Sequence, residues 1–171
     1  SSDVCSSDLE LGVARLVPIT TQRSVVQLDG ERADKRSSHW RSVAIAACEQ
    51  SGRNRLPEIA TPVPLDAACA IAATRGIGMH RYALAPGDAP DFASVLRALD
   101  GPGATPPRLT LLVGPEGGLT EEELQQAAGC GFSPVSLGPR VLRTETAGAA
   151  AIAVAQALLG DLRKMPLSNI G

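Results

Sequence analysis

Residues 108–113, Arg-Leu-Thr-Leu-Leu-Val, run almost without a polar break into Gly114-Pro115-Glu116-Gly117-Gly118-Leu119-Thr120. A run this short and this apolar suits a parallel strand covered on both faces. Thr120, with Glu123 three residues on, has the pattern of a capping box, so the turn leads into a helix. A strand, a glycine-rich turn and a helix together make the repeating unit of an α/β fold.

The rest of the chain extends that pattern. Val13 to Ile19 reads as a strand. Ser37 or Ser38 caps a helix carrying Trp40, Val43, Ala44, Ala47 and Cys48 on one face, which Gly52 ends. Leu56 to Ile59 is a short extended piece and Leu65 to Ala73 a second helix. Met79 to Leu84 is a strand, Pro86-Gly87-Asp88 a turn and Phe92 to Leu99 a short helix. Gly129 and Gly131 close the helix begun at Thr120. Pro134 to Leu137 is a short strand, and Glu145 to Leu162 a long Ala-rich helix. Alternating strands and helices predict an α/β domain with a mostly parallel sheet and flanking helices. Ligands of such sheets bind on the loops at the carboxyl ends of the strands. Here those loops follow Leu84, Val113 and Leu137.

The glycine-rich turn allows close backbone approach to a ligand, and its helix presents free N–H groups. It matches neither G-x-G-x-x-G nor the phosphate loop, and Glu116 would repel phosphate. It is therefore either a site for a cationic or donor-rich ligand or a plain turn capped by Thr120. The loop after Leu137 reads Gly138-Pro139-Arg140-Val141-Leu142-Arg143-Thr144-Glu145. Its arginines suit a phosphate, whereas Thr144 and Glu145 also suit the cap and first turn of the last helix. The segment Cys48-Glu49-Gln50-Ser51-Gly52-Arg53-Asn54-Arg55 gathers amides and guanidinium groups that suit base edges and phosphates, or else forms a polar helix end. The loop Leu84-Ala85-Pro86-Gly87 needs nothing beyond a turn.

Bulk properties narrow the class. A length of 171 residues suits one core. Aromatics make up 2%, so the core is expected to rest on Leu, Val, Ile and Ala. The net charge of −2 argues against gripping nucleic acid by bulk electrostatics and leaves room for a local basic patch. Cys5, Cys48, Cys69 and Cys130 form no C-x-x-C pair and the chain has two His, so no metal site is expected. Reduced thiols and the lack of a signal peptide point to the cytoplasm. The apolar stretch from Ala147 to Gly160 is broken by Gln156 and too short for a bilayer, so no membrane segment is expected. Residues 1–9 repeat Ser-Ser-Asp without periodicity and are expected to be foreign. Residues 10–164 would form the domain and 165–171 a tail.

Three segments in order carry a resemblance. They are Ala44 to Arg55 with Pro57-Glu58-Ile59, Leu112-Val113-Gly114-Pro115-Glu116-Gly117-Gly118-Leu119, and Leu137 to Ala147 with its Arg-Val-Leu-Arg-Thr-Glu-Thr core. The chain resembles the 16S rRNA uridine-N3 methyltransferase family of the SPOUT superfamily, from about Leu9 to Leu162. The resemblance implies a C-terminal trefoil knot, an S-adenosylmethionine cofactor, a homodimer and 16S ribosomal RNA of the small subunit as substrate. It implies cofactor contacts at Leu84, Ala85, Pro86, Gly114, Pro115, Glu116, Gly117, Gly118, Leu137, Gly138, Arg140, Leu142, Arg143 and Thr144. Arg53, Asn54, Arg55 and Arg140 would position RNA. Arg143 would orient phosphate or stabilise a uridine anion, with Glu145 as the better candidate base and Glu49 the lesser. The family's N-terminal PUA-like barrel, first strand and most of the first helix are expected to be missing from this sequence, and Ala85 stands where the family often has Glu or His. Other SPOUT methyltransferases, a truncated module that binds without turnover, and a generic Rossmann domain are the competing readings.

Overall fold

The computed structural model describes residues 6–24, 30–74, 79–101 and 106–163, with the side chains of 30–34 excepted. The expected tail at 165–171 lies outside them. The elements run α1 (Ser6–Glu10), β1 (Arg15–Leu16), β2 (Ile19–Thr20), α2 (Gly30–Ser51), β3 (Glu58–Ile59), β4 (Val63–Pro64), α3 (Leu65–Thr74), β5 (Met79–Leu84), α4 (Phe92–Arg97), β6 (Arg108–Leu112), α5 (Glu121–Gly129), β7 (Ser133–Val135) and α6 (Thr144–Leu159).

A three-stranded parallel sheet in the order β6-β5-β7 holds the domain together. Its side chains alternate between two cores, as the strand period of two requires. Tyr82, Leu109, Leu111 and Val135 face α4 and α6, where they meet Phe92, Leu96 and Ala151. Ala83 and Leu112 face α3 and α5, where they meet Leu65, Cys69, Ala72 and Ala127. From β5 the chain moves to one side through α4, then from β6 back across β5 through α5 on the other face. Reversing both direction and face gives the two crossovers the same hand, as parallel connections require. It also makes the carboxyl end of β5 a topological switch point. All four aromatic residues, Trp40, Tyr82, Phe92 and Phe132, are buried, so the few aromatics join the aliphatic core rather than leave it to aliphatics alone.

Several boundaries differ from the sequence reading. The strand expected over Val13 to Ile19 is two short strands, β1 paired with β3 and β2 with β4, all parallel. Arg15 pairs with Glu58 and Ile19 with Val63, so four steps on one side answer five on the other. Pro18 lies at this interruption, where it has no N–H to donate and only its carbonyl bonds, to Val63 N–H at 3.1 Å. α2 starts at Gly30 rather than at Ser37 or Ser38, and ends as expected. Gly52 has φ +70 and Arg53 N–H reaches back to Cys48 O at 3.0 Å, a Schellman closure. The last helix stops at Leu159 rather than Leu162. Of the segment expected to be foreign, residues 6–9 fold into α1 against α2 and α6. Leu9 is fully buried beside Trp40, while Asp8 Oδ1 is buried without a partner.

Candidate functional site

Parallel strands place their three following loops on one edge of the sheet, and hydrogen bonds join those loops here. The first loop leaves β5 at Leu84 and returns to the sheet at Asp91, which bridges Ser136. Its base is pinched by Val135, at the end of the neighbouring β7, and by Ser136 just past it: Ala85 N–H bonds Val135 O at 2.9 Å and Phe92 N–H bonds Ser136 O at 2.9 Å. Ser136 N–H in turn donates to Pro90 O at 2.9 Å. Residues 85–90 therefore stand out as a closed excursion resting on the third loop. The buried Ser136 hydroxyl also bonds the backbone of Gly138, which shapes the start of that loop.

The glycine-rich loop follows β6. Gly118 N–H closes a turn on Pro115 O at 2.8 Å, with Gly118 at φ +70. A Cβ at Gly114 would stand 3.0 Å from Leu119 N, so a side chain there would have to push the following backbone aside. The capping box that follows is present as expected. Thr120 accepts from Glu123 N–H, and the Glu123 carboxylate accepts from Thr120 N–H at 2.9 Å.

Thr144 departs from its expected role. It was expected to cap α6 with its side chain, but the N-cap is Arg143, without a side-chain cap bond, and Thr144 is the first helical residue. Its hydroxyl donates instead to Gly114 O at 3.0 Å. The second and third loops thus lie side by side, joined by a bond across thirty positions of sequence.

At this junction Leu142 is half-buried, while Arg140, Arg143 and Glu145 are exposed. Val141 is 82% exposed, an apolar side chain between two cations. Glu145 stands in the first turn of α6, where its charge suits the helix N-terminus. Leu84, Ala85, Pro86, Pro115, Glu116, Gly117, Leu137 and Gly138 all fall within the three loops or at their roots. An added Cβ at Gly118 or at Gly138 (φ +102) would meet nothing within 4 Å, so both loops border open space.

The segment after α2 is less united with these loops. Glu49, Asn54 and Arg55 are exposed, on or just past a helix that packs chiefly against α1 and β3. Arg53, expected to position RNA, is turned inward. Its guanidinium donates to Leu9 O, and to Val13 O at 3.0 Å, so it fastens the α1–β1 junction. A half-buried arginine fills its donors with nearby orphan carbonyls, and no local pattern announces that.

Two residues beside the site drew no attention in the sequence. Gln22 N–H donates to the buried Glu123 carboxylate at 2.7 Å, and Arg23 Nη1 donates to Gly117 O at 2.6 Å. Among the described residues no cluster of three His, Cys, Asp or Glu side chains is placed to hold a metal, and no helix is long and apolar enough to cross a membrane.

An α/β domain with ligand-type loops at a switch point, one of them rich in arginine, defines a class rather than a reaction. Comparison with known proteins supplies the family. The family described as RNA methyltransferase domain matches residues 3–156, and the chain belongs to it. Among curated relatives, the ribosomal RNA small subunit methyltransferase E of Buchnera aphidicola is 32% identical over 90% of this chain and 58% of its own length. The enzyme of that name from Bacillus subtilis is 32% identical over 81% of this chain and 53% of its own.

Two solved structures are similar. One is a methyltransferase, Lpg2936 of Legionella pneumophila, in complex with S-adenosylmethionine (TM-score 0.76, 40% identity, 89% of this chain and 58% of that one). The other is the ribosomal RNA small subunit methyltransferase E of Neisseria gonorrhoeae bound to S-adenosylmethionine (TM-score 0.76, 36% identity, 91% and 60%). The chain thus spans between half and two thirds of these relatives' lengths.

Proposed function

We propose that this chain is the catalytic domain of an RNA methyltransferase that transfers a methyl group from S-adenosylmethionine to N3 of a uridine in 16S ribosomal RNA. The observation that carries this is the bond from Thr144 to Gly114 O, which sets the glycine-rich loop against the arginine-bearing loop. The residues fit the cofactor. Nothing lies within 4 Å of an added Cβ at Gly118 or Gly138, so a ligand can come close to the backbone of both loops. Leu84 to Pro86, Gly114 to Gly118 and Leu137 to Thr144 would hold it. When bound, it supplies an already activated methyl group.

The work left to the protein is alignment and handling of one proton. Uridine N3 is protonated at neutral pH, so transfer needs a proton acceptor and a cation for the resulting anion. Glu145 and Arg143 stand two residues apart at the start of α6 and serve as that acceptor and cation. Glu49 is the lesser candidate, because its helix packs chiefly elsewhere. Arg140 meets RNA phosphate beside them, and Asn54 and Arg55 extend the contact. A net charge of −2 leaves much of the RNA affinity to other surfaces, such as a second copy in a homodimer or a further domain. The reading also includes a trefoil knot at the C-terminal end, as the resemblance to the SPOUT family implies, and a cytoplasmic location.

The test is methylation of unmodified small ribosomal subunits with labelled S-adenosylmethionine, mapped by reverse transcription, since an N3-methyl blocks base pairing. One stop at a uridine is expected. Arg143→Ala should remove it while thermal unfolding is unchanged. A methyl on a ribose or on guanine, or an undiminished rate in the variant, would overturn the assignment.

A further inference from the structure

Three hydrogen bonds among the described residues hold the glycine-rich loop and the helix start that follows it. Gly114 O is held by Thr144, and Thr120 is held by Glu123. The third anchor is Gly117 O, which accepts from Arg23, a residue 94 positions earlier in sequence. The stem of Arg23 lies flat over Gly117: an added Cβ there would meet Arg23 Cδ at 3.2 Å and Cβ at 3.4 Å. The Arg23 turn is itself built. Thr21 N–H bonds Ser24 Oγ at 3.0 Å, the two hydroxyls lie 3.0 Å apart, and Ser24 N–H returns to Thr21 O at 3.1 Å. It is then moored to α5 through the buried carboxylate of Glu123. One oxygen of that carboxylate takes Gln22 N–H and the other takes Thr120 N–H.

We propose that Arg23 is a positioning residue that holds the 114–118 loop in the shape that takes the methyl donor, with the turn 21–24 as its base. This rests on the reading of that loop as the cofactor site. A glycine-rich loop loses more conformational freedom on binding than other backbone, so a fastening made before the ligand arrives lowers the cost of binding. A carbonyl bonded to a cation is a strong fastening. Arg23 does this from outside the loop, so its effect falls on affinity rather than on the chemistry at N3.

The test measures S-adenosylmethionine binding calorimetrically to this chain and to Arg23→Ala and Arg23→Lys. Arg23→Ala should weaken binding several-fold, because the exposed bond to Gly117 O is already made without ligand and its loss adds only the cost of ordering the loop. Its unfolding midpoint without ligand should be unchanged, and faster amide exchange should be confined to residues 114–118. Arg23→Lys keeps a cationic donor and should restore part of the affinity.

Wild-type affinity in Arg23→Ala would overturn the inference and leave the cofactor reading standing. So would an effect explained by global destabilisation, with a lowered unfolding midpoint and no rescue by Lys. Failure of the unaltered chain to bind S-adenosylmethionine would overturn the cofactor reading and this inference with it.

Discussion

Thr144 shows how one hydroxyl carries two loops. Its bond to Gly114 O spans thirty positions and is made by a residue whose type favours a local cap. Thr144→Val keeps the shape and removes the donor, so Gly114 O loses its partner. About 1 kcal/mol of stability should go with it, and S-adenosylmethionine should bind several-fold more weakly, whereas Thr144→Ser should keep both. Denaturant midpoints with and without ligand measure this. Asp8 carries a pH dependence at the same scale. Burial lifts its carboxyl from 3.8 to about 6, and Oδ1 has no partner. Between those values the folded chain binds more protons than the unfolded one, so stability falls as pH rises through that window and the penalty is complete above it. Asp8→Asn should therefore be more stable than the parent at pH 7. The gain should be about 1 kcal/mol, reduced for the solvent that still reaches a half-buried group, and should vanish near pH 3.5. Urea midpoints at the two pH values decide it.

At the scale of elements, α4 and α6 share one face of the sheet around Phe92 and Leu96, both fully buried. Phe92→Ala leaves a cavity that the sheet cannot close, so about 3–5 kcal/mol should be lost in chemical denaturation. Because Phe92 N–H also bonds Ser136 O, the excursion 85–90 should loosen with it. α5 gives a smaller effect. Thr120→Ala removes one side of the capping box and should cost about 1 kcal/mol by the same measurement. This box was legible in four consecutive letters, because both partners are near in sequence and the geometry of a helix start is always the same. The extent of β5 was equally legible. The strand at 13–19 was not: its apolar pattern predicts one strand, but Pro18 and the one-residue mismatch with residues 58–64 divide it.

For the whole molecule, the three loops come from separate strands and meet at one edge only when the sheet is assembled, so a ligand held by them should report on the entire fold. S-adenosylmethionine at a hundredfold excess over its dissociation constant should stabilise the chain by about 2.7 kcal/mol, read as a concentration-dependent rise in the unfolding midpoint. A flat midpoint would mean that the loops do not share a ligand. Most helices and the strands of the central sheet, the capping box, the loops of the sheet's carboxyl edge and the family were open to reading in the letters alone, because each rests on local spacing or on a motif of adjacent residues. Where hydrogen-bonding side chains go was decided by tertiary structure. Thr144 turns to Gly114, Arg23 to Gly117 and Arg53 away from the surface to Leu9 and Val13. A backbone carbonyl accepts whichever donor the fold brings within 3 Å of it, and no residue's identity records which distant strand will arrive there.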